Sequence, residues 1–417
     1  MSPRSQLPVS KAQMMTKARE SQGSVYELRN HIRFRDTHVH AHRLGAGGDG
    51  TVDLWKHKRS GAFVAVKTPH HSNTSLPDPS LVKEAKNLEC LGKHPHIVEM
   101  LTYSETYLPR GPAIFLEYTP LGDLGTYEGN LLIHQVKQQR PEQIPEVTVC
   151  KLLRDMGLAL EYLHGKGFVH TDVKPDNILV FSPDGWKAEN GTPILPVFKL
   201  TDFSRMVPFP LTGRAMAEYK HLGGTPEFAP PLSERKCLRP SGDMWSLGCT
   251  IQCFALGIVP TQSQDAFVAD RKKAGGQYPP PYNPRAWYEN KWRLAVPNLY
   301  RPLNVTQAEL ARNWDVPRQH GVARIDTPYS TYLNTWYKAL WDADEKTRIT
   351  AKALAEHFVS MIDNDIELAE AEQLAEASFK SANILRGHVV SRQFALKRGD
   401  TREDSAIQGL GNRIAEL

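Results

Sequence analysis

At 417 residues the chain is long enough for two or three units of about 100 to 200 residues, each with room for a core. Hydrophobic residues at 40% and charged residues at 23% mark a globular protein, and 51 basic against 46 acidic residues is too small an excess for a nucleic-acid surface. Five cysteines (Cys90, Cys150, Cys237, Cys249, Cys253) without CxxC spacing argue against a disulfide framework or a zinc site. They fit a reducing compartment, and the expected location is intracellular, cytoplasmic or nuclear.

Residues 1–33 are polar and weakly patterned. Arg4, Lys11, Lys17 and Arg19 precede the first acid, Glu20, as in a mitochondrial presequence, but a flexible, solvated extension is the preferred reading. The folded part is expected to begin near Phe34. From there to Lys67, polar and apolar residues alternate around a glycine cluster and a Lys58–Gly61 turn, which predicts three short antiparallel strands. His38, His40 and His42 would share one strand face. No carboxylate or cysteine is patterned beside them, so a solvated face is expected in place of a metal site.

Leu44–Val52 reads LGAGGDGTV, a GxGxxGxV pattern on Gly45, Gly47 and Gly50. Glycines there let backbone amides approach a phosphate closely, although a simple hairpin turn would look the same. A strand pattern follows where a dinucleotide-binding fold would need a helix. Lys67 ends the apolar run VAVK, and a buried cation there needs anions. Phosphates and Glu84, on a helix predicted over Pro79–Leu91 with Leu88 and Leu91 on its apolar face, would supply them. The alternative is a lysine at the solvent edge of the strand.

After an extended segment at Ala113–Tyr118, helical periodicity over Val147–His164 marks a second, mostly helical lobe. Val169–Val180, VHTDVKPDNILV, is the most specific segment in the chain. Asp172 can orient a substrate hydroxyl and accept its proton, Lys174 can neutralise a transferring phosphoryl group, and Asn177 can hold Mg2+. Asp202 in LTDFSR adds a carboxylate suited to the same hard ion. Ser182–Pro196 and a segment from about Thr261 to His320 read as insertions. Ser246–Pro260 is apolar but shorter than the roughly 18 to 20 residues of a bilayer crossing, so a buried helix and no membrane span are expected. Residues 361–417 read as a helical, charged tail that docks on the lobe or on a partner.

In combination these motifs resemble the eukaryotic protein kinase family, of serine/threonine type, over about residues 34–360. Glycine loop, VAVK lysine, helix glutamate, HTDVKPDN, TDF, GTPEF (Gly224–Phe228), DMWSLG (Asp243–Gly248) and a late arginine, Arg348, occur in the family's order. The resemblance implies an α+β, two-lobed fold. A small antiparallel N-lobe with one key helix (about 34–117) would stand over a larger helical C-lobe (about 118–360). It implies ATP and Mg2+ in the cleft between them. Asp172 and Lys174 would be catalytic, and Asn177 and Asp202 would hold metal. Leu44, Gly45, Gly47, Gly50, Val52, Ala65, Lys67, Glu84, Leu116, Glu117, Thr119, Asp123 and Leu179 would contact or position the nucleotide. Within that set Leu116 resembles the gatekeeper, Glu117 and Thr119 the hinge, and Asp123 the ribose contact. Leu88, Met100, His170 and Phe203 fall where the family stacks its regulatory spine. Lys174 with Thr225 implies protein substrates with serine or threonine acceptors.

Three positions depart from the family pattern. Thr171 replaces the arginine of HRD, which removes the usual receiver of an activation-loop phosphate, so activity is expected not to require phosphorylation of the candidate loop hydroxyls Ser204, Thr212 and Tyr219. Ser204 replaces the glycine of DFG, which restricts the torsions of that segment. Leu232 stands where a glutamate usually pairs with the arginine corresponding to Arg348, and Glu227 or Glu234 could substitute. A catalytically silent pseudokinase scaffold is the alternative that these departures motivate.

Overall fold

The computed structural model describes residues 28–29, 31–47, 50–69, 79–105, 112–210, 225–235, 238–275, 296–316 and 324–396. Thr212, Tyr219, Gly224, Cys237, most of the first 33 residues and the basic end beyond residue 396 lie outside them.

The N-lobe is a five-stranded antiparallel sheet in the order β1-β2-β3-β5-β4. Its strands are β1 (His38–Gly47), β2 (Gly50–His57), β3 (Phe63–Thr68), β4 (Met100–Ser104) and β5 (Ala113–Leu116). Central strand β3 is apolar on both faces because both are covered. On one side α2 (Pro79–Leu91) buries Leu81, Ala85 and Leu88. Pro79 suits the first turn of this helix, and Gly92 at φ +71 ends it by donating back to Leu88 O.

The other side is covered by a helix that the sequence did not announce. Helix α1 (His31–Thr37) buries Phe34, which with Leu28 packs on Val64, Val66, Ala113 and Phe115. Arg29 Nε donates to Thr102 Oγ1 at 2.8 Å, and Ser104 Oγ donates to Arg29 O. The packed chain therefore starts by Leu28, ahead of the boundary expected near Phe34. The same helix corrects the reading of the histidine run. His38 is only 1% exposed and stacks on Phe34 at 4.3 Å, while His40 and His42 are solvated. His40 Nε2 does lie 3.3 Å from a carboxylate, that of Asp53 on β2, but no metal-binding cluster occurs among the described residues.

The C-lobe is built round α4 (Glu146–Gly165), which follows α3 (Leu124–Lys137) and buries Leu152, Leu153, Met156, Leu160 and Leu163. Two short strand pairs hang on it: β6 (Phe168–Val169) with β9 (Val207–Pro208), and β7 (Ile178–Phe181) with β8 (Val197–Leu200). Helix α5 (Pro240–Leu256) is apolar almost all round and fully packed, as expected, and Gly257 at φ +64 closes it. Among the described residues no helix is long and apolar enough to cross a membrane.

Both predicted insertions are tied to this lobe where they are described. The 182–196 segment is anchored by Tyr127 Oη donating to Pro193 O and Thr148 Oγ1 donating to Ile194 O. The 261–320 segment carries α6 (Gln264–Lys273) and α7 (Gln307–Asn313). Its ends converge on fully buried Arg301, whose guanidinium donates to the carbonyls of Val259, Thr261 and Asp315. After α8 (Thr331–Ala339), the first half of helix α9 (Ser360–Leu396) lies on the lobe. Ile362, Ile366 and Ala377 are buried there, and Gln373 Oε1 accepts from the backbone of Ile194 and Leu195.

Candidate active site

A cleft of about 520 Å³ separates the lobes, and it gathers all of the residues predicted to catalyse, hold metal or contact nucleotide. Its roof is β1, β2 with Val52 and β3 with Ala65, and its floor includes Leu179. A Cβ built on Gly45 or Gly47 would meet nothing within 4 Å, so open space borders both glycines at the cleft. Gly50 has a separate reason to be glycine: at φ +141 its Cβ would sit 2.3 Å from Thr68 O.

At the back wall Leu116 is buried, and the chain then leaves the sheet through Glu117 and Thr119. The Glu117 carboxylate accepts from Lys199 Nζ at 2.7 Å and from Glu99 N, and its own N–H donates to Glu99 O. Thr119 Oγ1 donates to Val180 O. Asp123 caps α3 by accepting from Thr126 N at 2.7 Å while lining the cleft.

Lys67 is buried between two carboxylates, 2.7 Å from Glu84 Oε2 on α2 and 3.3 Å from Asp202 Oδ1. Burial alone would lower its pKa, but Glu84 and Asp202 outweigh this and raise it above 10.5. Burial acts on Asp202 in the opposite sense, and Lys67 with the Ser204 hydroxyl outweighs it, holding the carboxyl below 3.8. The cleft therefore presents a paired ammonium and, in Asp202, an ionised carboxylate.

Two short ladders assemble the rest. The β7–β8 pairing sets Ile178 opposite Leu200, and Thr201 N donates to Asn177 O, so Asn177 and Asp202 become neighbours across the 182–196 segment. The β6–β9 pairing brings the Asp172 loop beside Phe203–Arg205. Asp172 is 6% exposed. It accepts from Thr225 N at 2.9 Å and from Asn177 Nδ2 at 3.2 Å, with Lys174 Nζ 3.3 Å away. Lys174 Nζ also donates to Thr225 Oγ1 at 2.7 Å. Asn177 Nδ2 bonds Asp172 O as well, which leaves the amide oxygen of Asn177 for a cation. That oxygen and the second carboxylate oxygen of Asp202 form a hard donor set that fits Mg2+.

His170 and Phe203 are fully buried with ring centroids 5.1 Å apart, and Leu88 is buried as expected for a packed spine. The anchor beneath them is Asp243, the first residue of DMWSLG. It accepts from His170 N, Thr171 N and His164 Nε2, all within 2.9 Å. These bonds hold Thr171 at φ +72, and its hydroxyl donates to Arg205 O. Arg348 is resolved in favour of Glu234, with two 2.7 Å hydrogen bonds, while Leu232 is solvent-exposed.

Three groups escaped the sequence reading. Ser204 Oγ donates to Asp202 Oδ1 at 2.8 Å, so the residue does more than replace a glycine. Asn87 Nδ2 donates to Phe203 O at 2.7 Å; its only signal is its place three residues after Glu84, on the same face of α2. Arg205 Nε lies 3.7 Å from Asp172 Oδ2.

The protein kinase domain family model matches residues 38–359. The serine/threonine-protein kinase SBK1 of Danio rerio is 30% identical over 253 residues, covering 57% of this chain and 57% of that protein. The serine/threonine-protein kinase ATG1 of Beauveria bassiana is 27% identical over 280 residues, 60% of this chain and 29% of its own. SBK1 of Mus musculus is 29% identical over 236 residues, 54% and 49% respectively. The chain thus spans between about a third and somewhat over half of these relatives. With the family match covering most of the chain and the two-lobed architecture that surrounds the cleft, the chain belongs to the protein kinase family.

Proposed function

We propose that this chain transfers the γ-phosphoryl group of Mg-ATP to serine or threonine hydroxyls of protein substrates. The observation that carries the reading is one cleft in which Asp172, Lys174, Asn177 and Thr225 form a hydrogen-bonded set facing the Lys67–Glu84–Asp202 ion cluster. Asp172 orients the acceptor hydroxyl and takes its proton as the new oxygen–phosphorus bond forms and the bridging bond to the β-phosphate breaks. Lys174, on the same wall, faces the phosphoryl oxygens and neutralises their charge. Lys67, fixed by Glu84, holds the phosphates at the other end. Gly45 and Gly47 let the backbone come close to the phosphates, and the backbone of Glu117 and Thr119 receives the base. Asn177 and Asp202 would hold Mg2+, which supplies charge neutralisation on the phosphate oxygens. Catalysis of this kind is mostly positioning and preorganised electrostatics.

Control is proposed to differ from the usual pattern. Thr171 carries no cation for a loop phosphate, and its hydrogen bonds to Asp243 and Arg205 already fix the loop that carries Asp172. Activity should persist in Thr212→Ala/Tyr219→Phe protein; loss of activity in a folded variant would refute this part.

The deciding assay incubates full-length protein with Mg-ATP and a degenerate peptide mixture beside an Asp172→Asn control. Transfer to serine and threonine is expected, reduced about 10² to 10⁴-fold in the variant. Equal absence of transfer in both proteins would instead leave a nucleotide-binding scaffold.

A further inference from the structure

The departure at Ser204 and the unexpected amide of Asn87 act on consecutive residues of the metal-binding segment. Asp202 is in the left-handed region, φ +61, and its Oδ1 receives the Ser204 hydroxyl at 2.8 Å in addition to Lys67. Phe203 has its ring buried against His170, and its carbonyl receives Asn87 Nδ2 at 2.7 Å. Ser204 is itself only 6% exposed. Helix α2 therefore grips the cleft twice, through Glu84 on Lys67 and, one turn on, through Asn87 on the backbone of Phe203.

We propose that Asn87 and Ser204 are positioning residues that hold Asp202 and Phe203 in the metal-receiving arrangement before nucleotide binds. For Phe203 to leave its pocket, the chain must break the Asn87 bond and turn the backbone at residues 202–204. A serine at 204 resists that turn where a glycine would permit it. The half-buried Asn87 amide would lose its partner, which adds to the penalty. The metal-binding segment is thus set by α2 and by its own hydroxyl, with no contribution required from a loop phosphate. The inference builds on the proposed phosphoryl transfer, in that Asp202 is taken as a metal ligand.

The test uses full-length Asn87→Leu, Ser204→Ala, the double variant and Ser204→Thr, which keeps the hydroxyl. Amide hydrogen exchange over 202–206 in nucleotide-free protein is read against α5 as an internal reference. Exchange should rise about fivefold in each single variant and further in the double, with Ser204→Thr close to the parent. Calorimetric binding of ADP with and without Mg2+ should show the Mg2+-dependent gain in affinity reduced about fivefold, while Mg2+-free binding is unchanged. Exchange that stays at the parent rate, or that rises equally in α5, would overturn the inference, as would an unchanged or larger Mg2+ gain. Neither readout needs phosphate transfer, so an inactive parent protein would defeat the proposed reaction and leave this positioning role to be decided by exchange.

Discussion

Two buried ion clusters in this protein have the same ingredients and opposite surroundings. In the cleft, Lys67 lies between Glu84 and Asp202, and one side of the cluster opens on a cavity of about 520 Å³. On the rear of the C-lobe, Lys151 and Arg154 share the fully buried Asp155 at 2.6 and 2.9 Å. Helix α9 closes that group, with Asp363 on Arg154 and Glu370 3.5 Å from Lys151. Phe198 N, at the start of the β8–Asp202 stretch, donates to Asp155 at 3.1 Å. The rear cluster satisfies its charges within the chain, so it is a fastening. The cleft cluster keeps a surplus carboxylate facing open space, and that surplus is what suits it to a cation and phosphates.

The sharpest break between them is Asp155→Ala, which takes the buried shared carboxylate from buried Lys151 and half-buried Arg154. It should cost about 3–5 kcal/mol of stability, read from urea unfolding. Lys67→Met should do the reverse: phosphate transfer falls at least about a hundredfold, while the urea midpoint moves less than in Asp155→Ala, because water in the cleft can hydrate the carboxylates left behind. Asp363→Ala removes a rim charge whose side chain is 39% exposed, so about 0.5–1 kcal/mol is expected, shrinking in high salt. The smallest effect is acid titration. Asp202 has a folded pKa below its ordinary 3.8, so the unfolded chain binds its proton first as pH falls. Its contribution is present above about pH 4 and is lost as pH drops through the lowered value, and Asp202→Asn should flatten that limb of the stability curve.

The front cluster was legible in the sequence and the rear one was not. Asp172, Lys174 and Asn177 sit within six residues, and Glu84 falls on the apolar-periodic helix that Pro79 and Gly92 delimit, so short-range spacing carries them. Lys151 and Glu370 are separated by more than two hundred residues, and both read as ordinary polar helix positions. The same limit explains Arg348. Its need for a carboxylate could be inferred, but choosing Glu234 over Glu227 required the path of the chain past Pro231. His38 looked solvated because alternation says which residues share a face, while α1 decides which part of that face is covered.

By itself, then, the sequence determined the two lobes, the membership of the cleft and the chemistry each side chain could offer there. Periodicity and turn residues mark the change of texture between the lobes, and side-chain types a few positions apart mark the Asp172 loop, while cleft positions such as Leu116, Glu117, Thr119 and Asp123 are implied by the resemblance to the protein kinase family. The tertiary structure decided what covers what. Helix α1 seals the outer face of the sheet, α9 completes the rear ion cluster, and Asn87 and Ser204 hydrogen-bond Phe203 and Asp202. Burial and hydrogen bonding of that kind depend on distances between residues far apart in the chain, and no local pattern records them.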